Sequence, residues 1–366
     1  DTDIQLVFPR YLGLKNLIKQ RRLFYKRSKN SFKENQLINN FKNAERYKWK
    51  VEEYVISDYL YPQLLTKLEA SIGNAISIAD GINAHFSKYP INLMIPIGNL
   101  WVENALILDY CKNNAVPIYM IINGLLNNDH FKDAYNCNYV NCYSISCWED
   151  YFKKSESVFP LGDPRMDYYA NRPKKIINKN APTIIIGAAG FDPTDLNSYV
   201  AYEFDFLYDI LSVLLEMKQG GLNPTIIIKV RTNGYINQYE NFVKIYFDSL
   251  NILLKQNEKF SDVIIEADLY ISFYSQTIFE ASLLGIPAIY YKNDTQYHHR
   301  PFDGRSELVT ANNRNELLHI ITEFYKGADI FDPFLQPEVL TKYIGPLDGE
   351  NTKRNMDFIY RIIGKN

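Results

Sequence analysis

The stretch "IKVRTNGY" places Lys229 and Arg231 where an apolar run ends. Two cations there suit a diphosphate or a sugar-ring carboxylate, and the arginine fork can meet either oxyanion in two places. "SFYSQTIFEASLLG" puts Ser275, Gln276 and Thr277 at the expected start of a helix, with Glu280 one turn in. Free backbone N–H groups and the helix dipole favour an anion at such a start. The hydroxyls could add hydrogen bonds to phosphate, and Glu280 could accept from two ribose hydroxyls. The Thr277-x-x-Glu280 spacing is equally that of a capping box, in which Glu280 meets the Thr277 N–H. The residues alone leave both roles open. "FPLGDPRMDYY" sets Arg165 between Asp163 and Asp167 in a turn, placed to reach a ligand or to pair with its own acids.

Three further carboxylates could act as general base or as nucleophile. Glu103 stands early in a helical stretch, "LWVENALIL", and Asp192 and Asp195 lie in "GAAGFDPTD". Each also suits the first turn of a helix. His298 and His299, in "TQYHHRPFDGR", could hold phosphate or a metal. No acidic pair of the Asp-x-Asp type sits at a strand end in the first domain, so nothing demands a divalent metal. No cofactor is expected either.

These residues need a frame. Short apolar runs alternate with helical stretches along the whole chain. "NLMIPIG" (92–98), "VPIYMIING" (116–124) and "YVNCYSIS" (139–146) read as strands of a first series. "TIIIGAAG" (183–190), "TIIIKV" (225–230), "VIIEADLYISF" (263–273), "PAIYY" (287–291) and "LVTA" (308–311) form a second. Continuous apolar strands separated by helices mean parallel sheets covered on both faces. Two series mean an α/β protein of two doubly wound, Rossmann-like domains facing a cleft, with ligands at the carboxyl ends of the strands.

The polar, basic "YYANRPKKIINKNAPT" separates the series. The expected division is a first domain at 1–168, a linker at 169–182, a second domain at 183–349, and a helix at 350–366 packing back on the first domain. Gly187 closes the first strand of the second domain and joins the candidate binding residues. "GAAG" lacks the Gly-x-Gly-x-x-Gly pattern and its distal acid, which disfavours a dinucleotide oxidoreductase.

Composition narrows the class. The 366 residues exceed one ordinary core, and 46% are hydrophobic, as in globular proteins. Lys and Arg number 40 against 42 Asp and Glu, a net charge of −2 that argues against a nucleic-acid binder. Residues 10–33 nevertheless hold Lys and Arg without one acid. They suit either a basic helix on an anionic membrane surface or a solvated surface helix. The four cysteines lack metal-ligand spacing and read as reduced, cytosolic thiols. No apolar run is long enough to span a bilayer and no signal peptide is visible. The first residue is Asp1, which leaves open what precedes it.

Together these pieces resemble a known group. "ADLYISFYSQTIFEASLLGIPAIYY" resembles the nucleotide-binding segment of two-domain glycosyltransferases of the GT-B architecture. "LGDPRMD" resembles the Gly-x-Pro-Arg-x-Asp turn of CDP-glycerol glycerophosphotransferases. "YIGPLDGENTKRNMDFI" looks like their closing helix, and the segment 98–126, ending near Gly124, is similar to their first-domain Trp-x-Glu region. "IKVRTNGY" stands where these families and the bacterial sialyl- and Kdo-transferases carry Lys-x-His-Pro, so Arg231-Thr232 replaces the His-Pro pair.

The resemblance implies a metal-independent glycosyltransferase of capsule, lipopolysaccharide or other surface-polysaccharide synthesis. A CMP-activated acid sugar such as Kdo, or a CDP-polyol unit, would be the donor. A glycan, free or lipid-linked, would be the acceptor, and the enzyme would work in the cytoplasm, at the inner face of the membrane. The donor would lie against Arg165, Gly187, Lys229, Arg231, Ser275, Gln276, Thr277 and Glu280. Arg231 would stabilise the leaving phosphate, and Glu103, Asp192 or Asp195 would serve as base or nucleophile. A nucleotide-sugar 2-epimerase and a non-catalytic nucleotide- or glycan-binding subunit are the alternatives.

Overall fold

The computed structural model describes residues 31–42, 50–51, 54–55, 57–96, 102–122, 124, 137–189, 198–292 and 300–364. Asp192, Asp195, His298, His299 and all but the last residues of the basic 10–33 stretch lie outside them. The backbone groups into two compact units, Asp1–Tyr119 and Met120–Asn366. The segment expected as a linker, 169–182, therefore lies inside the second unit.

In the first unit, helix α1 (Ser31–Lys42) and a two-stranded antiparallel pair, β1 (Lys50–Val51) and β2 (Tyr54–Val55), precede the 32-residue α2 (Ser57–Lys88) and α3 (Val102–Asn113). The expected strand at 92–98 is reduced to one parallel bridge, Met94 to Ile118.

The second unit holds two sheets. The smaller has the order β3 (Tyr119–Ile121), β4 (Tyr139–Asn141), β5 (Val158–Phe159), with β4 and β5 parallel. Only the first half of "YVNCYSIS" is strand. Tyr143 turns into the left-handed region at φ 69°, and the Ser144 side chain accepts from Cys147 N to cap α4 (Ile145–Asp150).

The larger sheet contains β6 (Thr183–Gly187), β7 (Thr225–Lys229), β8 (Ile252–Lys255), β9 (Leu269–Ser272), β10 (Ala288–Tyr291) and β11 (Thr310–Ala311). Its order is β11-β10-β9-β6-β7-β8 and every pairing is parallel. That is the doubly wound order, with the first and fourth strands of the series side by side at the switch point. Gly187 and Ser272 are register partners there, at the carboxyl ends of β6 and β9.

The apolar runs follow from burial on both faces. Ile184, Ile186, Ile226, Ile228, Leu269, Ile271, Ile289 and Tyr291 enter a core with helices α6 (Ser198–Gln219) and α10 (Arg314–Lys326). Their neighbours Ile185, Ile227, Tyr270, Ala288 and Tyr290 enter an opposite core with α9 (Thr277–Leu283) and α12 (Pro337–Ile344). A period of two thus feeds two cores, so no polar face is left to mark the alternation. The run 263–273 is not one strand. Val263 and Ile264 end helix α8 (Phe260–Ile264), and Asp268 then opens the strand proper. Strand β8, bounded by Asn251 and Gln256, is an edge that the apolar runs do not announce.

Asp268 is buried and accepts from Asn178 N at 3.0 Å and Thr183 N at 2.9 Å, with Lys175 Nζ at 3.3 Å. Lys175 N donates to Leu284 O, and Lys174 Nζ to Leu283 O. These bonds hold 174–183 against the sheet and keep it from behaving as a free linker. Asp268→Ala should cost about 3 kcal/mol in urea unfolding, because two backbone donors and a cation lose their acceptor together. Asp268→Asn should recover part of it.

Candidate active site

The turn between β5 and α5 (Asp167–Ala170) contains a short 3-10 segment, Pro164–Met166. Asp163 starts it, with a side chain 1% exposed. Its Oδ1 accepts from Arg165 N at 3.0 Å and Arg165 Nε at 3.1 Å, and its Oδ2 from Arg165 Nη2 at 3.0 Å. This two-point pairing turns the guanidinium side-on to the carboxylate. Arg165 Nη2 also lies 2.8 Å from Gln276 Oε1 and 2.8 Å from the Tyr143 hydroxyl. Gln276 Nε2 closes the ring by donating to Asp163 Oδ2. A Cβ on Gly124, at φ 89°, would stand 3.7 Å from Gln276 Oε1.

The arginine is spent on one side only. Its side chain is 48% exposed, and Nη1 has no hydrogen-bond partner among the described residues. Tyr143 contributes its hydroxyl from a buried, left-handed position, a backbone state that costs about 1–3 kcal/mol and collects at functional sites.

Glu280 does not cap α9. Gln276 is the N-cap, and the Thr277 N–H reaches Ser275 Oγ at 3.3 Å. Glu280 instead accepts from the Tyr169 hydroxyl, across from Arg165. Burial pushes its carboxyl above the usual carboxylate range, and Asp163 adds to the rise. Tyr169 and the Arg165 charge pull it back. The hydroxyls at the helix start serve one another: Ser275 Oγ lies 2.7 Å from Thr277 Oγ1, itself 2.6 Å from the Tyr270 hydroxyl. Tyr270 passes over Gly187, where a Cβ would fall 2.0 Å from its oxygen.

The expected residues thus divide. Arg165, Gln276 and Glu280 come together, and Ser275 and Thr277 adjoin them through α9. Lys229 closes β7, and its side chain is buried with its ammonium on backbone carbonyls. Its ammonium donates to Val230 O at 2.8 Å and Gln256 O at 2.9 Å, and burial lowers its pKa. Arg231 is exposed in the turn after β7, its carbonyl accepting from Gly234 N and Gln256 Nε2. Glu103 is exposed in the first turn of α3, in the first unit. Among the described residues no group of three or more His, Cys, Asp and Glu could hold a metal, and no helix is long and apolar enough to cross a membrane. Sequence reasoning missed Tyr143 and Tyr169, which carry no motif, and the burial of Asp163.

Glu280→Gln tests the environment of the carboxyl. With its folded pKa raised, ionised Glu280 costs stability above both its folded and unfolded values, and that cost disappears as pH falls through the folded value. Gln keeps an acceptor for Tyr169 without the charge. The variant should melt higher than wild type at about pH 8, and the gap should close towards about pH 4. A constant gap across the range would place Glu280 in water.

No family model matches the chain, and no curated protein matches it significantly. Solved structures do. A protein from Listeria monocytogenes assigned as a UDP-N-acetylglucosamine 2-epimerase matches with a TM-score of 0.56 at 10% identity, over 81% of each chain. The UDP-GlcNAc 2-epimerase of Methanocaldococcus jannaschii matches at 0.52 and 12%, over 78% of this chain and 82% of that one. TarM matches at 0.50 and 12%, over 79% of this chain and 58% of that one. At such identities the likeness is one of fold alone, and the fold of this chain is the one these epimerases and TarM share.

Proposed function

We propose that the chain is a glycosyltransferase that takes a sugar from a nucleotide-activated donor to a glycan acceptor in surface-polysaccharide synthesis. The observation that carries this reading is the clamped, half-exposed Arg165, set beside the start of α9 at the carboxyl side of the switch point. A guanidinium fixed on one edge and open on the other is preorganised for an oxyanion, and a donor diphosphate or a CMP phosphate is one. The GDPRMD turn and the 267–291 segment, which carry the family resemblance, are the two pieces that build it.

The donor lies over Gly187 and the α9 start, with Arg165 and Arg231 meeting developing charge on the leaving phosphate. Glu280 serves a hydroxyl of the donor. The base is one of Glu103, Asp192 and Asp195, and transfer proceeds in EDTA. Lys229, tied to two carbonyls, supports the turn before Arg231 rather than the ligand. The 2-epimerase reading stands second, favoured by the two epimerase folds. It lacks the His-Pro-Arg-Thr segment of that family, of which only Arg231-Thr232 is present.

Thermal-shift titration with CMP, CDP, UDP and GDP tests the shared part of both readings. One of them should stabilise the protein, and Arg165→Ala should weaken that nucleotide about 10- to 100-fold. No shift with any of the four removes a nucleotide-sugar enzyme. Incubation with UDP-GlcNAc separates the two readings: release of a free hexosamine product without acceptor decides for the epimerase.

A further inference from the structure

Helix α13 (Asn351–Ile362) lies against β4, β5 and the turn that carries Arg165. Phe358 packs on Tyr139 and Phe159, with ring centroids 5.7 and 4.6 Å away. Above that apolar seat the contacts become polar and buried. Three successive carbonyls of the turn are taken by side chains of this one helix. Leu161 O accepts from Arg354 Nε at 3.2 Å, Gly162 O from Asn355 Nδ2 at 3.5 Å, and Asp163 O from Asn351 Nδ2 at 3.1 Å. Asn141, at the end of β4, adds a donor to Gly162 O at 2.8 Å and another to Asn355 Oδ1 at 2.8 Å. Its own Oδ1 accepts from Tyr143 N and Leu161 N.

The clasp is reciprocal. The Asp167 carboxylate accepts from Asn351 N at 2.9 Å and Thr352 N at 2.7 Å, so the turn caps the helix that holds it. The fit leaves no room for change. At Gly162, φ 84°, a Cβ would fall 1.9 Å from Asn351 Oδ1. At Gly345, φ 85°, one would fall 2.4 Å from Tyr143 O and 2.7 Å from Gly162 Cα.

We propose that α13 is part of the binding site, with Asn351 as a positioning residue that sets Arg165 through the backbone of Asp163. Asn351 fixes the Asp163 carbonyl, Asp163 fixes the Arg165 side chain, and the open Nη1 edge is thereby aimed at an oxyanion. Asparagine suits this place because its amide donates to Asp163 O and Pro346 O while its oxygen accepts from Arg354. The inference rests on the nucleotide-binding reading for its ligand and on the fold alone for its mechanics.

A double-mutant cycle tests it, read as the dissociation constant of whichever of CMP, CDP, UDP or GDP shifts the melting temperature most. Asn351→Ala should weaken binding about tenfold in the wild-type background and leave it unchanged in an Arg165→Ala background. An equal loss in both backgrounds, or no loss in either, overturns the proposal. Should Asn351→Ala fail to fold, Arg354→Gln releases Leu161 O and takes its place in the same cycle. Hydrogen exchange of the ligand-free protein separates this claim from the functional one. Either variant should speed exchange of the Arg165 amide and its turn, but not of the 183–187 strand, even if no nucleotide binds. Unchanged exchange at Arg165 sinks the proposal independently of any ligand.

Discussion

A carboxylate removed from water must be given donors, and Asp163 is removed almost completely. Its four neighbouring donors are Arg165 N, Nε and Nη2 and Gln276 Nε2. Gln276 can serve only if α9 begins where it does, one short turn after β9. Arg165 can serve only if the turn bends back on itself, which the Asp163 cap and Pro164 enforce. Tyr143, from the end of β4, then meets the same guanidinium. One buried charge thus draws together the small sheet, the turn and the switch point of the large sheet, all within the second unit.

The large sheet supplies the rigidity this arrangement needs. Side chains of β6, β7, β9 and β10 alternate between two cores, so each strand is fixed from both faces and the carboxyl ends cannot shift separately. Small residues at those ends matter for the same reason. Gly187 yields its side-chain space to Tyr270, whose hydroxyl then reaches Thr277. The polar start of α9 is therefore bound to the sheet beneath it. Its hydroxyls are ordered by one another and by Tyr270, with no ligand needed to place them.

Much of this was legible in the sequence. Short apolar runs such as "TIIIG", "TIIIK" and "AIYY" mark buried parallel strands, and five strands of the large sheet are legible from such runs. The α/β class and the doubly wound pattern followed. The failures have physical causes. An apolar run does not separate a helix end from a strand start, as Val263 and Leu269 show, because both are buried. "ILLK" is short and lies at an edge, so its periodicity is weak. At the site, Arg165, Gln276 and Glu280 were marked by hydroxyls, acids and turn formers. Tyr143, Tyr169 and Asn351 were not, since each acts across about 20 to 190 residues of chain, beyond any local pattern.

Lys229 and Arg165 show that position in a strand or turn does not by itself decide where a cation's charge is directed. Lys229 stands at a carboxyl end of the sheet, where ligands of such folds gather. Yet its ammonium is compact and freely rotating, and the nearest acceptors are the carbonyls of Val230 and Gln256. Burial makes those bonds necessary, and they turn the charge inward. Arg165 stands in a turn that a strand-based reading would rank lower. Its planar fork divides the work: one edge satisfies Asp163, while the other keeps its donors for solvent. A lysine at 165 could hold the carboxylate or meet a ligand, but its single nitrogen could not keep two fixed faces. The fork geometry, rather than the positive charge alone, allows one residue to close the fold locally and still keep donors open to solvent.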